Sequence, residues 1–99
     1  KLKDNEKSKY RVTNVIFSEI KKVTKKNNVN LIIANISGDK DAFAPYLSTF
    51  KKEKVNYFNC IIKRTKELTI KGDGHPNDLM HTQFSKCMYK NLNNFIKLS

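Results

Sequence analysis

Both histidines of the chain fall within ten residues, GDGHPNDLMH at positions 72–81, together with two aspartates, a proline and two of the three glycines. Asp73 precedes His75 by two residues, with Gly72 and Gly74 interleaved. Glycines let the backbone turn tightly, and Pro76 fixes the exit from the histidine. An acid beside a histidine is the orienting pair of hydrolytic triads. The carboxylate sets the imidazole tautomer, and the imidazole takes a proton from a hydroxyl nucleophile. The bland alternative is the capped start of a helix with a surface histidine, because D-x-H alone is common by chance. A metal site is a third reading: His75, His81, Asp73 and Asp78 are ligand types, and Cys60 or Cys87 could join them. Against it, the histidines stand six apart across a proline turn, which matches neither H-E-x-x-H nor a C-x-x-C pairing. His81 is better placed as a residue of the helix N-terminus, packing or hydrogen-bonding near the loop.

The elements around the loop follow from periodicity. Over residues 8–26 the apolar positions Val12, Val15, Ile16, Ile20 and Val23 mark one face of an amphipathic helix, ended by Asn27 and Asn28. VNLIIANI (29–36) is a nearly continuous apolar run rich in β-branched residues, which predicts a strand covered on both faces and hence a parallel sheet. Ser37, Gly38 and Asp39 break it. DAFAPYLSTFKKEK predicts a second helix with Pro45 in its first turn. VNYFNCII (55–62) predicts another buried strand, followed by the polar segment KRTKELTIK and then the loop. Asn77 or Asp78 caps the last helix, whose stripe is Met80, Phe84, Cys87, Met88, Leu92, Phe95 and Ile96. The order helix, strand, helix, strand, loop, helix is that of β-α units in a parallel α/β sheet, and a loop after such a strand is where open α/β sheets carry their chemistry.

Two parallel strands and three amphipathic helices cannot cover both faces and both edges of a sheet. Strands as apolar as 29–36 and 55–62 are poor solvent-exposed edges. Dimerisation through them is one solution. The favoured one is that the chain is the C-terminal part of a wider sheet whose earlier strands lie outside it.

With 99 residues the chain has room for one small domain. Its net charge of +11 would suit nucleic acid or an anionic surface, but all except two of the 20 basic residues are lysines, spread along the chain. Arg, the bidentate reader of guanine and phosphate, occurs only at Arg11 and Arg64. KKVTKK and FKKEK are basic clusters, and Tyr10, Tyr46, Tyr57 and Tyr89 are candidate stacking groups, yet the aromatics fall mostly on predicted core faces and no nucleic-acid motif accompanies them. Cys60 and Cys87 sit among apolar neighbours, YFNCII and FSKCMY, as small buried hydrophobes do. No apolar run is long enough to span a membrane.

The block DGHPN with a second histidine before a final helix resembles the SGNH (GDSL-type) hydrolases, serine esterases and acyl-transfer enzymes on a flavodoxin-like α/β/α sandwich. Their last block reads roughly D-x-(x)-H-P-N-x-x-G-H, and Asp73, His75, Pro76, Asn77 and His81 fall on it in order. The resemblance implies that His75 is the general base for a serine nucleophile and Asp73 its orienter. It further implies a three-layer sandwich with parallel strands, acylated small-molecule or carbohydrate substrates, and no cofactor. Met80 stands where the family usually has glycine, and the Asp-to-His spacing is two where three is common. The family's G-D-S nucleophile motif and its oxyanion-hole Gly and Asn belong to the N-terminal half of the fold. Ser37-Gly38-Asp39 follows too late a strand and reads as a turn, and Asn35 lies within a strand. Residues 1–99 are then expected to be the C-terminal half of a single domain of this type, supplying the catalytic His and Asp. The alternative from another class is a basic α/β nucleic-acid-binding or interaction module without catalysis.

Overall fold

The computed structural model describes residues 4–96, with side chains from residue 8 onward. Helix α1 (Asp4–Lys26) is followed by strand β1 (Ile32–Asn35), a 3-10 turn (Ala44–Tyr46) continued by α2 (Leu47–Glu53), strand β2 (Asn56–Asn59), a second 3-10 turn (Lys66–Leu68) and helix α3 (Asp78–Phe95). β1 and β2 form a two-stranded parallel sheet, so the chain is of mixed α/β type with parallel strand pairing. Both strands are shorter than the apolar runs that announced them. A hydrogen bond from the Cys60 N–H to the Asn35 carbonyl (2.8 Å) carries the pairing one residue beyond β2.

The chain divides into two compact units, one made of the segments up to Ile33 and Asp41–Tyr57, the other of Ala34–Lys40 and the chain from Phe58. In the first unit, Phe50 is nearly fully buried within an aromatic cluster. Its ring lies 5.1 Å from that of Phe17 on α1, 5.3 Å from Phe43 and 5.1 Å from Tyr57. The Phe17 and Phe43 contacts are edge-on, which suits the ring quadrupoles, and the Tyr57 ring is tilted; aromatic rings bury more apolar area per residue than valines do. That decides which side of α1 turns inward. Tyr10 and Phe17 pack on Tyr46, and the Asn14 side chain donates to the Pro45 carbonyl (3.2 Å). The periodic stripe Val12, Val15, Ile16, Ile20 and Val23, expected to be the buried face, is exposed instead. α1 ends where expected, with Asn28 in the left-handed region (φ 56°) and the Val29 N–H bonded back to the Thr24 carbonyl.

The second unit buries Phe58, Cys60, Leu68, Met80 and Phe84. Its one buried polar side chain among the described residues, Asn35, is fully employed: it donates to the Asp39 carbonyl (2.8 Å) and the Asn59 side chain (2.9 Å), and accepts from the Ser37 backbone and hydroxyl. Buried amides persist where they are satisfied in this way. Strand β2 departs from the expectation of cover on both faces, since only Phe58 of its four residues is buried. The predicted α3 stripe is buried at Met80 and Phe84 and exposed at Phe95 and Ile96. The two cysteines are not free hydrophobes. Cys60, just past β2, and Cys87, on α3, form a disulfide with Cα atoms 5.8 Å apart. Cys60 is fully buried and Cys87 half-buried on the facing helix, which brings the two within bonding reach.

Candidate functional site

The loop that carries His75 is a short hairpin closed by backbone hydrogen bonds. Thr69 and Pro76 pair antiparallel, the Ile70 N–H donates to the His75 carbonyl (2.8 Å), and the Asp73 and Gly74 N–H groups both donate to the Ile70 carbonyl (3.1 and 3.0 Å). Reversing the chain in so few residues requires left-handed backbone, and Gly72 (φ 82°) and Gly74 (φ 81°) supply it. No atom lies within 4 Å of where a Cβ would sit on either glycine, so the requirement there is conformational rather than steric.

A second set of bonds fixes the loop to α3. Asn77 is the helix N-cap, its side-chain oxygen accepting from the Met80 N–H (3.0 Å), while its side-chain N–H₂ donates to the Glu67 carbonyl (2.8 Å) and its backbone N–H to the Leu68 carbonyl (2.9 Å). One residue therefore ties the helix start to the 3-10 turn before the loop. From the other side, the Arg64 guanidinium donates to the Gly74 carbonyl (3.3 Å). Glu67 belongs to the same framework. Its own backbone N–H and the Thr65 hydroxyl stabilise the charged carboxylate and hold its pKa below the usual value.

Within this frame the two residues singled out by spacing meet. His75 Nδ1 is hydrogen-bonded to a carboxylate oxygen of Asp73. With the carboxylate ionised and the imidazole neutral, the carboxylate only accepts, so that Nδ1 carries the proton and Nε2 presents its lone pair. Both side chains are well exposed, His75 at 72% and Asp73 at 48%. A polar contact so open to water adds little to fold stability, and the value of this one lies in setting tautomer and ring orientation.

His81 lies in the first turn of α3, its backbone N–H bonded to the Asn77 carbonyl (3.0 Å), and it lines a cleft with Pro76 and Phe84. Ser37 is engaged locally, its hydroxyl donating to the Asn35 side-chain oxygen (2.6 Å) and accepting from the Asp39 N–H (3.2 Å). No described hydroxyl is hydrogen-bonded to His75. Among the described residues no three His, Cys, Asp or Glu side chains gather as a metal site, and the disulfide removes both thiols from any ligand set. No described helix is long and apolar enough to cross a membrane. Neither the cysteine pairing nor the bond from Arg64 to Gly74 is marked in the sequence. A lone arginine ten residues before a glycine leaves no sequence signal.

Compared with known proteins, the chain matches no family model, no curated protein and no solved structure.

Proposed function

We propose that this chain is the C-terminal half of an SGNH-type hydrolase domain, in which His75 acts as general base and Asp73 orients it. The observation that carries the reading is the bond between His75 Nδ1 and Asp73, made on a glycine-hinged loop that follows a parallel strand and is capped onto the last helix. The serine nucleophile and the oxyanion hole are assigned to the N-terminal half of the domain, and the fold of the whole to a flavodoxin-like three-layer sandwich. The parallel strand pair supports that assignment, as does the apolar surface left open on α1 and on Tyr57 of β2, which further strands and helices would cover.

In this reading Nε2 of His75 takes the serine hydroxyl proton as the oxygen attacks the ester carbonyl. It then gives that proton to the departing alcohol, leaving an acyl-enzyme. Water repeats the sequence: Nε2 takes its proton, the acyl bond to serine breaks, and the proton returns to the serine oxygen. The substrate is an acylated small molecule or carbohydrate, and the chemistry calls for no cofactor. The test is p-nitrophenyl acetate hydrolysis by the full-length protein with His75 replaced by Ala. Turnover equal to the unsubstituted protein removes the assignment.

One observation favours a second reading, a basic nucleic-acid-binding or interaction module. Lys21, Lys22 and Lys25 of α1 and Lys52 and Lys54 at the end of α2 gather around one cleft, with Glu53 the single acid among them. A salt titration of DNA or RNA binding tests it: affinity independent of salt would remove the electrostatic case.

A further inference from the structure

The segments leaving the carboxyl ends of β1 and β2 line a cleft of about 440 Å³ beside the His75 loop. Ile36 and Ser37 come directly from β1, Arg64 from the segment after β2, Pro76 from the residue next to His75, and Phe84 and Met88 from α3. The cleft is mainly apolar, and Arg64 is its only permanently charged residue; His81 is the other titratable one. A volume of this size suits a small ligand. Arg64 is exposed and makes one hydrogen bond to the loop. One guanidinium N–H is bonded to the carbonyl of Gly74, the residue between Asp73 and His75. A guanidinium has five N–H donors in a planar fork, so donors remain that match a carboxylate bidentately.

We propose that this cleft takes a short aliphatic chain ending in a carboxylate, with Arg64 binding the carboxylate and Ile36, Phe84 and Met88 the hydrocarbon. Combined with the hydrolase reading, on which this part rests, the preferred substrate class is a hemiester of a short dicarboxylic acid. The anionic end seats on Arg64 and the ester end lies toward Pro76, the residue next to His75. The carboxylate does not react; the bonds made and broken are those of the acyl transfer already described.

The test is a titration of the ¹⁵N-labelled full-length protein, followed by amide shifts, with two probes matched in size: monomethyl succinate and methyl butyrate. The anionic ester is expected to shift the Ser37, Gly74 and Ser85 amides and to bind at least about tenfold more tightly than the neutral one, as loss of a charge-assisted hydrogen bond costs roughly 10- to 100-fold. Arg64→Gln should erase that difference, and Arg64→Lys, which keeps the charge without the fork, should retain part of it. Equal binding of the two probes, or a preference that survives in Arg64→Gln, overturns the proposal. The outcome is separable from the hydrolase reading. Anion-selective binding without His75-dependent turnover leaves this site standing and removes the hydrolase, whereas His75-dependent turnover with no anion preference does the reverse.

Discussion

Reduction of the Cys60–Cys87 disulfide removes a cross-link between residues 27 apart in sequence. Opening a loop of that length returns roughly 12 cal/mol/K of chain entropy to the unfolded state, or about 3.5 kcal/mol at 25 °C. That is a large share of the stability of a small domain. At a urea slope of roughly 1.5–2 kcal/mol per M, the unfolding midpoint should fall by about 2 M when the protein is compared with and without reductant. Reduction is a cleaner perturbation than substitution, because Cys60 is fully buried and a Cys60→Ala variant adds the loss of its packing. Both cysteines belong to the unit that starts again at Phe58, so amide exchange should accelerate most in α3 and around Leu68. Peptide mapping under non-reducing conditions supplies the covalent check. A midpoint shift below about 0.5 M, or free thiols at both positions in the oxidised protein, would refute the reasoning.

Three further perturbations follow from the loop. Gly74→Ala places a Cβ in left-handed backbone with open space around it, so its cost is conformational alone, about 1–2 kcal/mol by thermal or chemical unfolding. It should also weaken the His75–Asp73 bond by shifting the residue between them. Asn77→Ala removes both the cap on Met80 and the bond to the Glu67 carbonyl, for a loss of roughly 1–2 kcal/mol, whereas Asn77→Asp keeps the cap and should recover part of it. The Glu67 pKa is lowered by its own backbone N–H and by Thr65, so its stabilising contribution is present above the usual glutamate value and fades as pH falls through the lowered one. An NMR titration should place its midpoint below the usual glutamate value, and Thr65→Val should raise it.

Much of the loop's local structure could be read from the sequence because its signals are local. Gly-Asp-Gly-His-Pro-Asn encodes a turn, an Asp–His hydrogen bond and an N-cap within six residues, and Gly72, Gly74 and Asn77 take the roles their chemistry suggests. Helix α1 shows where local signals stop. Its periodicity located the helix, but the choice of buried face was made by distant aromatics: Phe17 and Tyr10 dock on Tyr46 and Phe50, and the valine stripe stays outside. Strand burial was overestimated for a related reason. An apolar run reports what a strand is able to bury, whereas Tyr57 and its neighbours on β2 bury only what the described elements cover. The disulfide was missed because FSKCMY and YFNCII look alike whether the sulfur is a buried thiol or half of a bridge. Only the 5.8 Å approach of their Cα atoms separates the two.

Under the proposed function, Asp73 and His75 act as one proton-transfer unit. Its most direct measurement is kcat/KM for p-nitrophenyl acetate hydrolysis by the full-length protein and by its His75→Ala, Asp73→Ala and doubly substituted forms. General-base catalysis is worth roughly 10²- to 10⁴-fold, so His75→Ala should lose about that much. Groups that work as a unit are non-additive, so the double substitution should lose no more than His75→Ala alone. Wild-type turnover in His75→Ala, or losses that simply multiply in the double form, would contradict it.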